Sequence, residues 1–358
     1  MRLRTFALIA LGLLAAPVPA EAGQAGRGRL AARVQYLWQT NASGDDVHII
    51  DVATLQVVTR LVVGQEPHGL AAPADGRVVF VSVEASSRPV GELIWIDPRS
   101  YAIRHRMTIC REPHAIATTP DGRWVYVPCR DGYYWVVDAA EKTVVKMIRT
   151  GGRPHNSLAS PDGRYMFLSP MGGPQRVTIV DVLAGHDVVG QIPFSDSLRP
   201  PALSWSNQWF FQHVDGLNGF QVADINSRTV IATVRHTRPL GWVVLIKELG
   251  WLAFDGFHRC HGLAVRPGET EIWSACGKRV NVHSLTEDGF PELASIPMLD
   301  DVYWLTFTPD GRYGFVAVRG VNRVAVVEAP TRKVIKYIKV GHEPKRNLVV
   351  TVNRAGGG

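Results

Sequence analysis

The 358-residue chain carries 39 Lys plus Arg against 32 Asp plus Glu, a formal net charge of +7, with 46% hydrophobic and 20% charged residues. That composition excludes a disordered or fibrous chain and supports a substantial core, while 34 Gly and 23 Pro point to many turns rather than long helices. The basic balance suits anionic surfaces or acidic ligands without selecting one, and we expect no nucleic-acid partner.

The N-terminus reads Met1-Arg2-Leu3-Arg4, then an apolar run from Phe6 to Ala16, then Ala20-Glu21-Ala22. A basic head, a short apolar centre and an Ala-x-Ala site describe a Sec-type signal peptide over residues 1–22, cleaved near Ala22. The expectation is a periplasmic or secreted protein. No later run reaches the roughly 18 apolar residues of a membrane helix, so no transmembrane segment is expected. Residues 23–32 read as a flexible Gly/Arg linker, and 353–358 as a disordered tail.

Between them, over 33–352, the sequence repeats. Apolar strands ending in an acid recur at Ile49-Ile50-Asp51, Trp95-Ile96-Asp97, Val136-Val137-Asp138, Ile179-Val180-Asp181 and Val222-Ala223-Asp224, with weaker copies ending at Ser284 and Glu328. The steps are 46, 41, 43, 43, 60 and 44 residues, a period characteristic of stacked repeats. A second landmark reads Pro113-His114, an apolar strand, then Pro120-Asp121-Gly122-Arg123, and returns from Pro154 to Arg164. Asp-Gly between apolar strands marks a tight hairpin. Each unit thus supplies four short antiparallel strands, and radial stacking buries both faces of such a sheet. The spacing predicts an all-β, seven-bladed β-propeller. Residues from about 33 to 63 supply three strands of the last blade, and the C-terminal strand near Lys345 supplies the fourth and closes the ring. The 60-residue step marks an insertion near 239–257, either an extra hairpin or a longer link.

These residues resemble the YVTN-type β-propeller repeat family, although the name-giving tetrapeptide is absent and Tyr126-Val127-Pro128-Cys129 is its nearest approach. The resemblance implies a propeller related in fold to those of nitrous oxide reductase and of haem-containing nitrite reductase, which makes a redox site feasible on this frame. The chain has no Cys-x-x-Cys-His for covalent haem.

The first residues of each innermost strand should sit at one mouth of the central channel. Counting seven back from each hairpin Asp gives His68, His114, His155 and Tyr303; His261 is the equivalent in blade five, Pro200 or Pro201 in blade four, and Lys345 in the closing blade. Four histidines at equivalent positions suggest a metal site formed by His68, His114, His155 and His261. Imidazole-rich surroundings favour transition metals, with copper leading on the affinity order and iron or zinc as alternatives. Glu66 and Glu112, two residues before His68 and His114, are candidate supports for the imidazoles. Tyr303 and Lys345 are candidate catalytic residues that position a substrate or donate protons. His213 is a candidate substitute ligand, whereas His258 and His342 read as surface. The alternative is that these histidines are structural, bonded to backbone of neighbouring blades.

Cys129 and Cys276 end second strands, while Cys110 and Cys260 lie just before the first strands of the same blades. Antiparallel pairing makes Cys110–Cys129 and Cys260–Cys276 the natural disulfides, and thiolate ligation beside His261 is the alternative. The functional expectation is a monomeric oxidoreductase acting on a small molecule. A non-catalytic periplasmic protein that binds or assembles a protein partner, and a lyase using the histidines as acid and base, are the other two readings.

Overall fold

A computed structural model describes residues 33–237 and 260–353. It forms seven four-stranded antiparallel sheets arranged as a β-propeller. Blades one to six span 67–108, 117–149, 153–193, 198–235, 260–297 and 302–339. Blade seven is composite: Pro344–Asn353 pairs antiparallel with Arg33–Asn41, which continues into Asp46–Asp51 and Gln56–Val62. The ring therefore closes as the sequence predicts, and the joining strand extends to Asn353. The signal peptide, the linker, the insertion near 239–257 and His258 lie outside the described residues. Among the described residues, no helix is long and apolar enough to cross a membrane.

Burial follows position in the blade. The second strand of blade one, Val79–Val83, is buried throughout because adjacent blades cover both its faces, so it reads as an unbroken apolar run. The outermost strand Gln56–Val62 faces solvent. Large side chains such as Phe167 and Phe210 meet between blades, with ring centroids 5.1 Å apart.

The recurring acid has a local cause. Asp51 Oδ1 accepts the backbone N–H groups of Ala53 and Thr54, and Asp97, Asp138 and Asp181 do the same in their blades. It caps the turn into the outer strand rather than facing the channel. Both expected disulfides, Cys110–Cys129 and Cys260–Cys276, are present.

Candidate active site at the channel mouth

The hairpins place the mouth residues by a common register. Ser160 and Ser204 open equivalent turns: each donates its N–H five residues on, and each carbonyl receives the N–H three residues on, from Gly163 and Asn207. Seven back from Ser206 is Arg199, not Pro200 or Pro201. Blade four lacks the Pro-Asp-Gly signal, so the sequence count slipped by one or two residues there. In ring order the mouth reads His68, His114, His155, Arg199, His261, Tyr303 and Lys345.

The rings form two stacked groups. His68 and His114 lie with centroids 3.8 Å apart, and His114 and His155 with centroids 4.3 Å apart. Across the mouth His261 stacks on Tyr303 at 3.8 Å, and the Tyr303 hydroxyl approaches His68 Nε2 at 3.3 Å. Lys345 Nζ sits 4.7 Å over the Tyr303 ring and 2.7 Å from Glu343.

The acid at the centre of this cluster is Glu84. Its Oε1 bonds His114 Nδ1 directly and lies 3.2 Å from His68 Nδ1. One ligating atom from each of His68, Glu84 and His114 falls within 4.8 Å of the others. His155 and His261 share the mouth but do not join this group. His155 Nδ1 is taken by Asn156 Nδ2 at 2.5 Å. Glu66 and Glu112 serve the rim: Glu66 accepts the Ser86 N–H at 2.8 Å, and Glu112 pairs with Arg130 at 2.7 Å. Both take positive φ just before a proline, as Glu343 does in the closing blade.

A sequence signal for Glu84 exists, nine residues past the hairpin Asp75. The equivalent of Glu84 in blade four is Asp215, which holds Arg199 through two bonds of 2.6 and 3.1 Å. The same repeat position thus supplies two acids, each facing the mouth residue of its own blade.

Burial sets the protonation states. It pushes the His68 imidazole down to about 3, with the neighbouring His114 adding to the effect. His155 and His261 are likewise held well below the usual histidine range by burial, then by neighbouring rings and Arg346. For Glu84, burial acts upward, but the two facing imidazoles override it and hold the carboxyl well below its ordinary value. Around the Glu84 carboxylate, His68, His155 and His261 are therefore neutral imidazoles, whose ring nitrogens retain lone pairs for a proton or a metal ion.

A further residue, Arg346, follows Lys345 on the closing strand. It is buried, its guanidinium lies 3.6 Å over the Trp304 ring, and Nη2 bonds Asn156 Oδ1. Its Nε is buried without a partner. Burial lowers it to about 10, so it remains a cation near neutrality. Beside the cluster lies a cavity of about 130 Å³ lined by Glu84, His114, His155, Arg130 and Arg153 among others. A larger groove, about 670 Å³, lies on the hairpin side of blades two and three beside Asp121, Asp162 and His186, away from the mouth histidines. His213 is not at the mouth. It lies buried between blades four and five, where Nδ1 meets the His261 carbonyl at 3.3 Å.

No family model matches the chain. Among solved structures it is similar to hydrazine synthase of Kuenenia stuttgartiensis, with 18% identity, a TM-score of 0.65 and coverage of 77% of this chain and 87% of that one. The periplasmic gluconolactonase PpgL of Pseudomonas aeruginosa aligns over 89% of this chain and 99% of its own, at 16% identity and a TM-score of 0.70. The dihydro-haem d1 dehydrogenase NirN, in complex with DHE, aligns over 87% and 74% at 14% identity and a TM-score of 0.61. At such identities the likeness establishes the β-propeller architecture and leaves the chemistry to the residues of the mouth.

Proposed function

We propose that this chain is an exported enzyme whose channel mouth holds one divalent transition-metal ion and carries out redox chemistry on a small anion. The observation that carries the reading is the convergence of His68, Glu84 and His114 beside a small cavity. Two imidazoles and a carboxylate form a donor set used by non-haem iron and catalytic zinc. Iron and zinc therefore stand level with copper, which the affinity order and an oxidising setting favour. His155, His261, Tyr303 and Lys345 line the substrate side of the mouth. Arg130 and Arg153 on the cavity wall supply positive charge for an anion, the buried Arg346 adds to it from beside His155 and His261, and the cavity limits the anion to a few heavy atoms. Two disulfides support export to an oxidising compartment.

Elemental analysis of untagged protein tests the proposal. We expect near-stoichiometric copper, iron or zinc in the wild type and at least a tenfold loss in Glu84→Gln and His114→Ala. Copper or iron would support redox turnover. Zinc alone would turn the site to hydrolytic or lyase chemistry, and metal-free, folded protein would sink the metal reading.

The direct bond from His114 Nδ1 to Glu84 favours a second reading, since it orients the imidazole as a general base would be oriented. A His-based lyase of this kind would keep its activity in chelator. A non-catalytic binding propeller would retain its partner after His114→Ala.

A further inference from the structure

A second cluster of histidines lies between blades four and five, separate from the mouth. Here two imidazoles converge on one hydroxyl: His213 Nε2 lies 2.8 Å and His236 Nε2 2.9 Å from Ser274 Oγ. Their tautomers follow from the other ends of the rings. His283 Nδ1 lies 2.8 Å from the Phe290 carbonyl and must carry the proton, so its Nε2 accepts. His236 Nδ1, 2.9 Å from that Nε2, must then donate. His213 Nδ1 faces the His261 carbonyl and donates as well. Both Nε2 atoms therefore present lone pairs to a hydroxyl with a single proton. One is satisfied, and the other meets an oxygen lone pair.

The conflict sits away from the surface, because His213, His236, His283 and Ser274 are all buried. A metal cation accepts two lone pairs at once. The remaining ligands are already present, for Cys276 Sγ lies 3.2 Å from Ser274 Oγ. The donor atoms of His213, His236, Cys260 and Cys276 all fall within 4.8 Å of one another. The bonds at both Nδ1 atoms fix the imidazoles as outer partners fix metal-bound histidines. What withholds the sulfurs is the disulfide between them.

We propose that reduction of the Cys260–Cys276 disulfide opens a Cys2His2 zinc site formed by Cys260, Cys276, His213 and His236. An external dithiol supplies two electrons and two protons and leaves as its own disulfide, with the protein sulfurs becoming thiols. Zn²⁺ then displaces those two protons as it binds two thiolates and two neutral imidazoles. The assembled centre has no net charge, which suits a buried position. In a tetrahedral site the ligands stand about 3.3–3.8 Å apart, so the two sulfurs, 2.02 Å apart in the disulfide, separate after reduction while the donor set, already within 4.8 Å, closes around the ion. Disulfide and zinc are alternative staples for the first two strands of blade five. His213 also holds the His261 carbonyl, so the same switch acts on the backbone of the channel mouth.

Cobalt is the probe. Full-length protein is reduced with dithiothreitol, desalted anaerobically and titrated with Co²⁺. We expect one equivalent to produce tetrahedral d–d bands and a thiolate-to-cobalt charge-transfer band, both abolished by one equivalent of Zn²⁺. The oxidised protein should show no charge-transfer band, and the mouth, which has no cysteine, cannot produce one. His236→Gln keeps all four cysteines and should weaken cobalt binding at least tenfold; His213→Gln is the second variant should that one fail to fold. A folded, reduced wild type without the band overturns the proposal, as does a band that survives both histidine substitutions. Equally tight binding to the oxidised protein would assign the histidines alone and overturn the redox dependence.

Discussion

Two glutamates close together at the mouth do different work, and position in the blade decides which. Glu84 ends a buried second strand and points between two imidazoles, whereas Glu66 stands at positive φ in a rim turn and accepts a backbone N–H. Glu84→Gln should therefore lower metal content at least tenfold, and Glu66→Ala should leave it unchanged while costing about 1 kcal/mol for the lost turn bond. Equal metal loss in both variants, measured on folded protein, would remove Glu84 from the site. Arg346 supplies a second contrast. A buried guanidinium with an unpartnered Nε is a cost to folding, and methionine is an apolar side chain of comparable length. Arg346→Met should hold or raise the urea midpoint while weakening anion binding at the mouth. A fall of more than about 2 kcal/mol would make the guanidinium a structural group instead.

At the scale of strands, the mouth depends on how closely neighbouring blades approach. Gly69 follows His68, and a Cβ added there would lie 2.4 Å from the His114 carbonyl oxygen and 2.9 Å from the Ile116 nitrogen. Both are backbone atoms that cannot swing away. Ser82 Oγ seals the same junction by bonding the Gly69 N–H and the His114 carbonyl. Gly69→Ala should destabilise the protein by about 1–3 kcal/mol and loosen the metal through movement of His114, seen as a lower denaturation midpoint together with weaker metal binding. An unchanged midpoint would show that the two strands are free to part. The strands themselves were legible in the sequence, because the Asp caps and Asp-Gly hairpins act locally and leave local marks. The disulfides were legible for a similar reason: antiparallel neighbours in one blade are fixed once the repeat is aligned. Arg199 was not, since blade four replaces Pro-Asp-Gly with Trp205-Ser206-Asn207 and only the register of the folded turn restores the count. Glu84 carries a local mark, its place nine residues past Asp75, but its bond to His114 of the next blade does not, and Arg346 meets Trp304 and Asn156 only across blades.

For the whole molecule, a ring built around buried neutral histidines should be sensitive to acid. An unfolded histidine takes up a proton near its ordinary value of 6.5, whereas His68 and His213 do so only near 3 and His236 near 2 in the folded protein. Between these limits the unfolded chain holds the extra protons, so stability rises with pH from about 3 to 6.5 and is lost as pH falls through that window. Each such histidine contributes up to about 1.4 kcal/mol per pH unit. Glu84 acts in the same direction below its ordinary range, because its carboxylate is held by the facing rings. The positions of these groups tie the effect to architecture: His68 lines the channel, while His213 and His236 lie between blades, so protonation strains both the mouth and a blade junction. Urea denaturation from pH 7 to 4 should show the midpoint dropping steeply below pH 6.5. His213→Gln should reduce the slope by about one proton's worth. A midpoint flat across this range would mean that water reaches the imidazoles, and the lone pairs assigned to metal at both clusters would then be spent on solvent.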